Sequence, residues 1–281
     1  MQENGQAIQI TKRNGEKVPF NVQKLINSLD RSGASEADIE QVIREVGNNL
    51  VDGMSTHKVY QLAYSILRKV SRHAAGKYKL KKAIFELGPT GYPFERFVGE
   101  LLKNQGYQVE VGQIVQGFCV QHEVDVIAEK DNRRYIIECK WHSDLSTKSD
   151  VKVSLYFHSR FQDIKKQWEK QANNHLLFHE GWLVTNTRFT DDALQYGECA
   201  GLRMISWDYP EKGSLKDRID LSGLHPITAL QALTKREKEM LLEKNIVLCR
   251  DITGQALEKA GIKSSRFRKI LREAEEIGSI L

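Results

Sequence analysis

The sequence predicts a multi-domain α/β protein, and three observations carry that prediction. Two clusters of turn and breaker residues cut the chain, "LGPTGYP" at 87–93 and the polar "DYPEKGSLKDRIDLSGLHP" at 208–226. Apolar residues recur at helical spacing before the first cut and after the second. Between the cuts, several short runs alternate at strand spacing instead. The expected layout is a mostly helical N-terminal region with a small β-hairpin, a central mixed β-sheet flanked by helices, and a small helical C-terminal domain. Boundaries fall at 1–88, 89–212, a linker at 213–227, and 228–281.

Composition narrows the class. A chain of 281 residues with 40% hydrophobic content can bury two or three cores. No run approaches the roughly 18 apolar residues that a spanning helix needs. The start, "MQENGQAIQI", lacks a basic-then-apolar leader, so the expected location is the cytoplasm, with no membrane partner. Cysteines 119, 139, 199 and 249 form no CxxC pair, which fits reduced thiols and argues against zinc. A net charge of +5 is compatible with a polyanion partner but does not demand one.

In the first region, "IQITKRNGEKVPF" reads as a hairpin. Ile8 and Ile10 alternate with polar residues, Asn14-Gly15 turns the chain, and Val18 and Phe20 resume the alternation. Three helical stretches come next, at 21–33, 36–51 and 56–75, the last with Thr56 as its expected cap. Lys12-Arg13 beside a glycine turn, with Lys24 one helical turn into the first of these stretches, can hold a triphosphate, or simply form a solvated hairpin tip.

The runs "ITKRNGEKVPFNVQKL", "GMSTHKVYQLAYSIL" and "YKLKKAIFELGP" resemble an ATP-cone, the nucleotide-sensing module of many ribonucleotide reductases and of a repressor of their genes. The resemblance covers residues 8 to 88 and implies that Lys12, Arg13, Asn21, Lys24 and Thr56 contact ATP or dATP as an allosteric ligand. Val18 and Tyr60 stand where cones often carry an acidic residue and a histidine, which leaves base and sugar discrimination open.

In the central region, "YPFERFVGELLKNQGY" (92–107) reads as a helix. Pro93 suits its first turn, Phe94, Phe97, Val98, Leu101 and Leu102 form its apolar stripe, and Gly106 ends it. Glu95 lies in the first turn, where its plainest role is to complement the helix dipole. "YQVEVGQIV" and "EVDVIAEK" then read as strands, and "DNRR" turns into "RYIIECKWH". Alternation puts Glu138 and Lys140 on one face with Ile136, and Tyr135, Ile137, Cys139 and Trp141 on the other. If the two strands pair, Asp125 comes beside Glu138, at the roughly 5 Å of cross-strand neighbours. Two carboxylates that close call for a cation, and a divalent ion such as Mg²⁺ answers. The alternative is an edge hairpin with a surface salt bridge. "DIK" at 163–165 has the same Asp-x-Lys spacing but lies in a helical stretch with no apolar strand before it, so it is set aside.

"FERFVGELLKNQGYQVE…HEVDVIAEKDNRRYIIECK" resembles the PD-(D/E)xK nuclease superfamily, and residues 181–210 are similar to the closing strand–helix–strand of Mrr-type restriction endonucleases. The resemblance covers about residues 90 to 212 and implies a restriction-endonuclease-like fold. It also implies Asp125 and Glu138 as ligands of Mg²⁺ or Mn²⁺, Lys140 as the catalytic amine, and Glu95 as an accessory acid on the metal side. A Val124-Asp125 pair replaces the family's Pro-Asp, and "QHEVD" replaces its Gly-rich approach to the aspartate. Arg160, Lys165 and Lys166, on the predicted helix at 152–171, either meet phosphates or form a solvated face.

The tail reads as three or four short helices, with a capping box at Thr234 and Glu237. Lys263, Arg266 and Lys269 open the last helix, either for DNA phosphates or as the surface of a packing domain. The tail bears a faint resemblance to helix-hairpin-helix or winged-helix modules.

Together these readings give a Mg²⁺-dependent endodeoxyribonuclease of restriction type, acting on double-stranded DNA, regulated by ATP or dATP, and expected to form a homo-oligomer. A structure-selective repair or junction-resolving nuclease and a non-catalytic, nucleotide-sensing DNA-binding regulator stand as alternatives.

Overall fold

The computed structural model describes residues 8–12, 15–30, 32–71, 74–75, 78, 80–170 and 177–278. The chain divides into two compact units, Met1–Leu80 and Lys81–Leu281.

In the first unit, β1 (Gln9–Thr11) and β2 (Lys17–Pro19) form the expected antiparallel hairpin, with Ile10 opposite Val18. Helices α1 (Val22–Asp30), α2 (Glu36–Asn49) and α3 (Thr56–Val70) come after it. Leu29, Val42, Val46, Ala63 and Leu67 close their shared core with almost no exposure. Ser35 and Asp38 make a capping box at the start of α2. A two-residue strand, β3 (Met54–Ser55), joins β1 in parallel and completes a three-stranded sheet that periodicity did not predict. So short a strand carries no alternation to read.

The cap of α3 also differs from expectation. Ser55, extended at φ −68°, accepts the amide of Lys58 at 3.2 Å and takes that place. Thr56 is the first helical residue, and its hydroxyl donates to the Thr11 carbonyl at 3.2 Å, tying the helix start to the hairpin.

The second unit holds a five-stranded sheet in the order β10-β8-β6-β5-β4. Helix α4 (Leu80–Phe85), which the unit division cuts after its first residue, precedes α5 (Tyr92–Asn104). Strands β4 (Gln108–Gln116), β5 (Gln121–Lys130) and β6 (Arg133–Lys140) form an antiparallel meander. The two-residue turn between β5 and β6 puts Asp131 and Asn132 at φ 52° and 56°, values these short polar residues tolerate well.

β7 (Lys148–Ser149) and α6 (Val151–Glu169) lead to β8 (Leu177–Thr185), which lies parallel to β6. β9 (Arg188–Phe189), paired with β7, and α7 (Asp191–Cys199) lead to β10 (Arg203–Ile205), parallel to β8. Phe157, Phe161 and Ile164 of α6 and Ala193 of α7 cover one face of the sheet, over Ile127, Ile136 and Leu183. On the other face, Val98, Leu101 and Leu102 of α5 and Leu215 of α8 (Leu215–Ser222) surround Trp182, Val184 and Ile205.

The tail contains α9 (Lys235–Glu243), α10 (Gly254–Lys259) and α11 (Phe267–Gly278), linked by 3₁₀ turns. The capping box at Thr234 and Glu237 is present. Arg266 is not free for phosphate: it donates to Glu237 and to the Ala232 carbonyl, so it fastens the start of α11 to α9. All four cysteines are unpaired, Cys139 and Cys249 buried and Cys119 and Cys199 exposed.

Candidate active site and nucleotide-binding module

The site forms where β5 and β6 part company. Their ladder runs as far as Val126 opposite Ile137, and one more step of the same register sets Asp125 against Glu138. Asp125 is also skipped on its other side, where the ladder pairs Val111 with Val126 and then Gln113 with Val124, omitting Gly112. Gly112 holds φ 66°, a conformation that most L residues avoid. Val124 and Ile127, three residues apart, join the same core cluster, so strict alternation breaks across Asp125. The Asp125 carboxylate accepts the Cys139 amide through Oδ2 at 2.7 Å. That bond fixes it beside the peptide linking Glu138 to Lys140. Cys139 itself is buried and packs inward, as alternation predicts.

Four carboxylates act on one another in this region, Glu95, Glu123, Asp125 and Glu138. Burial first, then the charges of Asp125, Glu123 and Glu138, push Glu95 up to about 7. Glu138 is also pushed up to about 7, by burial and then Asp125, against the opposing charges of Arg160 and Lys140. Asp125 is raised as well, mainly by burial, although the Cys139 amide pulls it down. Arg160 Nη1 donates to Glu138 Oε2 at 2.8 Å. Lys140 is exposed, and among the described residues its ammonium has no hydrogen-bond or ion-pair partner. Glu95, Asp125 and Glu138 thus lie close enough to act on one another's charge, and Lys140 acts on Asp125 and Glu138.

Two neighbours escape the sequence reading. Glu123 is legible in principle, standing two residues before Asp125 on the same strand. Arg160 reads in sequence only as a phosphate contact or part of a solvated face; no spacing rule connects α6 to β6.

The exit of β6 is held tightly. Thr185 Oγ1 donates to the Lys140 carbonyl at 2.8 Å. The Asn186 carboxamide, fully buried, accepts the His142 amide and donates to the His142 carbonyl, both at 2.8 Å. His142 bonds Ser149 Oγ at 2.9 Å, and burial, then Lys140, lowers its pKa. Its contacts are structural.

Among the described residues no group of three or more His, Cys, Asp or Glu side chains closes into a ready-made metal cage. Mg²⁺ does not require one, because it usually takes one or two carboxylates and leaves its other positions to water and substrate phosphates. The paired hard oxygens of Asp125 and Glu138 suit that chemistry.

In the first unit, the Asn21 side chain accepts the Lys24 amide at 3.1 Å, capping α1, and Lys24 is exposed. Lys12 Nζ lies 3.1 Å from Glu16 Oε2, and Thr56 is bonded to Thr11, the residue before Lys12. Arg13 lies outside the described residues. Tyr60 stacks on Tyr78 with ring centroids 5.0 Å apart.

Comparison with known proteins agrees with this layout. The family model for the ATP cone domain matches residues 8–85, that for a restriction endonuclease of Mrr type matches 89–211, and the C-terminal AF1548-like model matches 225–278. An uncharacterized protein of Archaeoglobus fulgidus is 33% identical over 183 residues, which make up 64% of this chain and 99% of that protein. The chain belongs to the AF1548-like family. The crystal structure titled as that of a protein of unknown function, AF1548, superposes with a TM-score of 0.57 at 32% identity, over 67% of this chain and 98% of that one. In this member of the AF1548-like family an ATP-cone domain precedes the restriction endonuclease domain. The matches support a nuclease acting on DNA, joined to a nucleotide-binding module. No helix among the described residues is long and apolar enough to cross a membrane.

Proposed function

We propose that the protein is a metal-dependent DNA endonuclease of restriction type whose activity is gated by ATP or dATP at the cone. The observation that carries this reading is the meeting of Asp125, Glu138 and Glu95, all three raised in pKa, beside the amine of Lys140, which has no partner among the described residues. Asp125 and Glu138 would hold Mg²⁺ or Mn²⁺. An ion held by these two carboxylates would supply positive charge against the scissile phosphate and favour hydroxide as the nucleophile. Lys140, exposed at the end of β6, orients the attacking water or stabilises the charge that develops on phosphorus. Glu95, poised near neutral pH, takes or returns a proton at the edge of the site.

Lys12, Arg13, Asn21, Lys24 and Thr56 would bind the nucleotide. Binding gates cleavage only if the nucleotide prefers one oligomeric state or domain arrangement over another.

Plasmid cleavage with Mg²⁺ or Mn²⁺, by wild type and Lys140→Ala, each with and without ATP, tests the reading. Wild type should cut and Lys140→Ala should lose at least about a hundredfold in rate. Equal cutting by the two would overturn the site. Binding without cutting by wild type would favour a regulator. Equal cutting and unchanged mass by light scattering with and without nucleotide would remove the gating.

A further inference from the structure

The tip of the β4–β5 hairpin has a composition that a solvated turn does not need. Phe118 and Val120 expose 39% and 56% of their surface there, and Ile114, on β4 opposite Glu123, exposes 73%. Lys166 and Lys170 rest their ammonium groups 3.9 and 4.1 Å from the centre of the Phe118 ring. One residue of α6 fixes the shape of the tip. The Asp163 carboxylate accepts the amides of Cys119 and Val120 at 2.9 and 3.4 Å and bonds His122 Nε2 at 2.8 Å, while its carbonyl accepts the Phe118 amide at 3.0 Å. Gly117 is required beneath this clamp, because a Cβ there would collide with Asp163 Oδ2 and stand 2.6 Å from the Val120 carbonyl.

We propose that this tip is a DNA-contact element, with Phe118 and Val120 wedged against a base step and Lys166 and Lys170 on the phosphates that flank it. The proposal rests on the nuclease reading and deepens it. Apolar wedges of this kind part or press base steps, and cations beside them hold the strand. A dry seam with a second copy of the chain is the poorer fit, since lysines are depleted from the centres of protein interfaces.

Geometry links the tip to the acidic cluster. α6 carries Arg160, which touches Glu138, and Lys166, while Lys170 caps its end; both lysines touch Phe118. At a rise of 1.5 Å per residue the lysines lie about 9 and 15 Å along the helix from Arg160. That is about three to four base-pair steps of 3.4 Å. A duplex cut at Asp125 and Glu138 would therefore meet the wedge within half a helical turn.

The test uses the full chain carrying Lys140→Ala, so that a labelled duplex is bound in Mg²⁺ without being cut, and reads anisotropy across a salt series. Adding Phe118→Ala should weaken binding about tenfold at every salt concentration, and Phe118→Tyr should restore it. Adding Lys166→Ala and Lys170→Ala together should reduce the log–log salt slope by about 1.8, at 0.9 per lost phosphate contact. A 2-aminopurine placed at the wedged step should brighten with the parent and not with Phe118→Ala. Unchanged affinity and slope in these variants, with a parent that binds and a wild type that cuts, would overturn the wedge alone. So would a Phe118→Ala change in mass by light scattering at constant DNA affinity. If the parent does not bind and wild type does not cut, the nuclease reading falls and the wedge falls with it.

Discussion

Arg160 Nη1 and Glu138 Oε2 lie 2.8 Å apart, and the two side chains keep only 14% and 18% of their exposure. The carboxylate assigned to the metal is therefore already held by a cation from another element. A pair this sheltered is costly to break from one side, because the remaining charge stays desolvated.

Arg160→Ala should therefore destabilise the metal-free protein by about 1–3 kcal/mol at pH 8, where Glu138 is ionised and would lose its hydrogen-bonded cation. At pH 6 Glu138 can take a proton, and the loss should shrink. Urea denaturation at the two pH values measures both. An equal loss at each pH would mean that Arg160 contributes packing rather than charge.

Wild type should show the same chemistry without any substitution. Glu95 and Glu138 titrate near 7 in the folded chain, well above the ordinary glutamate value of 4.5 that applies when it is unfolded. Between those values the folded state binds more protons than the unfolded one, so stability falls as pH rises from about 4.5 to 7. Above 7 both states are ionised and the penalty is complete. If Glu138 holds the metal as proposed, protons compete with it, and Mn²⁺ affinity measured by calorimetry should climb with pH up to about 7 and then level off. A flat profile from pH 5 to 8 would contradict the raised values.

Much of the site was legible because strand alternation is a local rule. "EVDVIAEKDNRRYIIECK" contains two strands, its turn and three of the four expected residues, and the two strands pair as an antiparallel hairpin as far as Val126 opposite Ile137, one step short of Asp125 and Glu138. Glu95 was legible through the helix that carries it. Features that depend on distant partners were not. Arg160 reaches Glu138 across 22 residues, Ser55 competes with Thr56 for one cap, and Arg266 is consumed by Glu237, 29 residues earlier. Nor does Gly112 announce in sequence that the ladder will skip Asp125.

Gly117→Ala tests the clamp under the hairpin tip. Its Cβ would collide with Asp163 Oδ2 and stand 2.6 Å from the Val120 carbonyl, both of them fixed by hydrogen bonds. The tip should shift, at a cost of about 1–3 kcal/mol. Hydrogen exchange should then accelerate at Cys119 and Val120 while the amides of β6 remain protected.

In the cone, two residues assigned to the nucleotide should separate. Asn21 also caps α1, so Asn21→Ala should lower stability by about 1 kcal/mol as well as ATP affinity. Lys24 is exposed, and Lys24→Ala should weaken ATP binding with stability unchanged. Paired calorimetry and thermal melts read both. Wild-type ATP affinity in Lys24→Ala would remove it from the site.

Asn186 offers the sharpest test of how Lys140 is placed. Its carboxamide satisfies both backbone groups of His142, two residues beyond Lys140, and is itself fully buried. Asn186→Ala leaves those groups unpaired at a cost of about 1–3 kcal/mol and frees the end of β6 to move. A small displacement of the amine should weaken its contact in the transition state more than it weakens DNA binding. kcat should therefore fall about ten- to a hundredfold with KM nearly constant, and Asn186→Asp should restore at most part of it, because a carboxylate cannot donate to the His142 carbonyl. A rise in KM at constant kcat would place Asn186 among the DNA-binding residues instead.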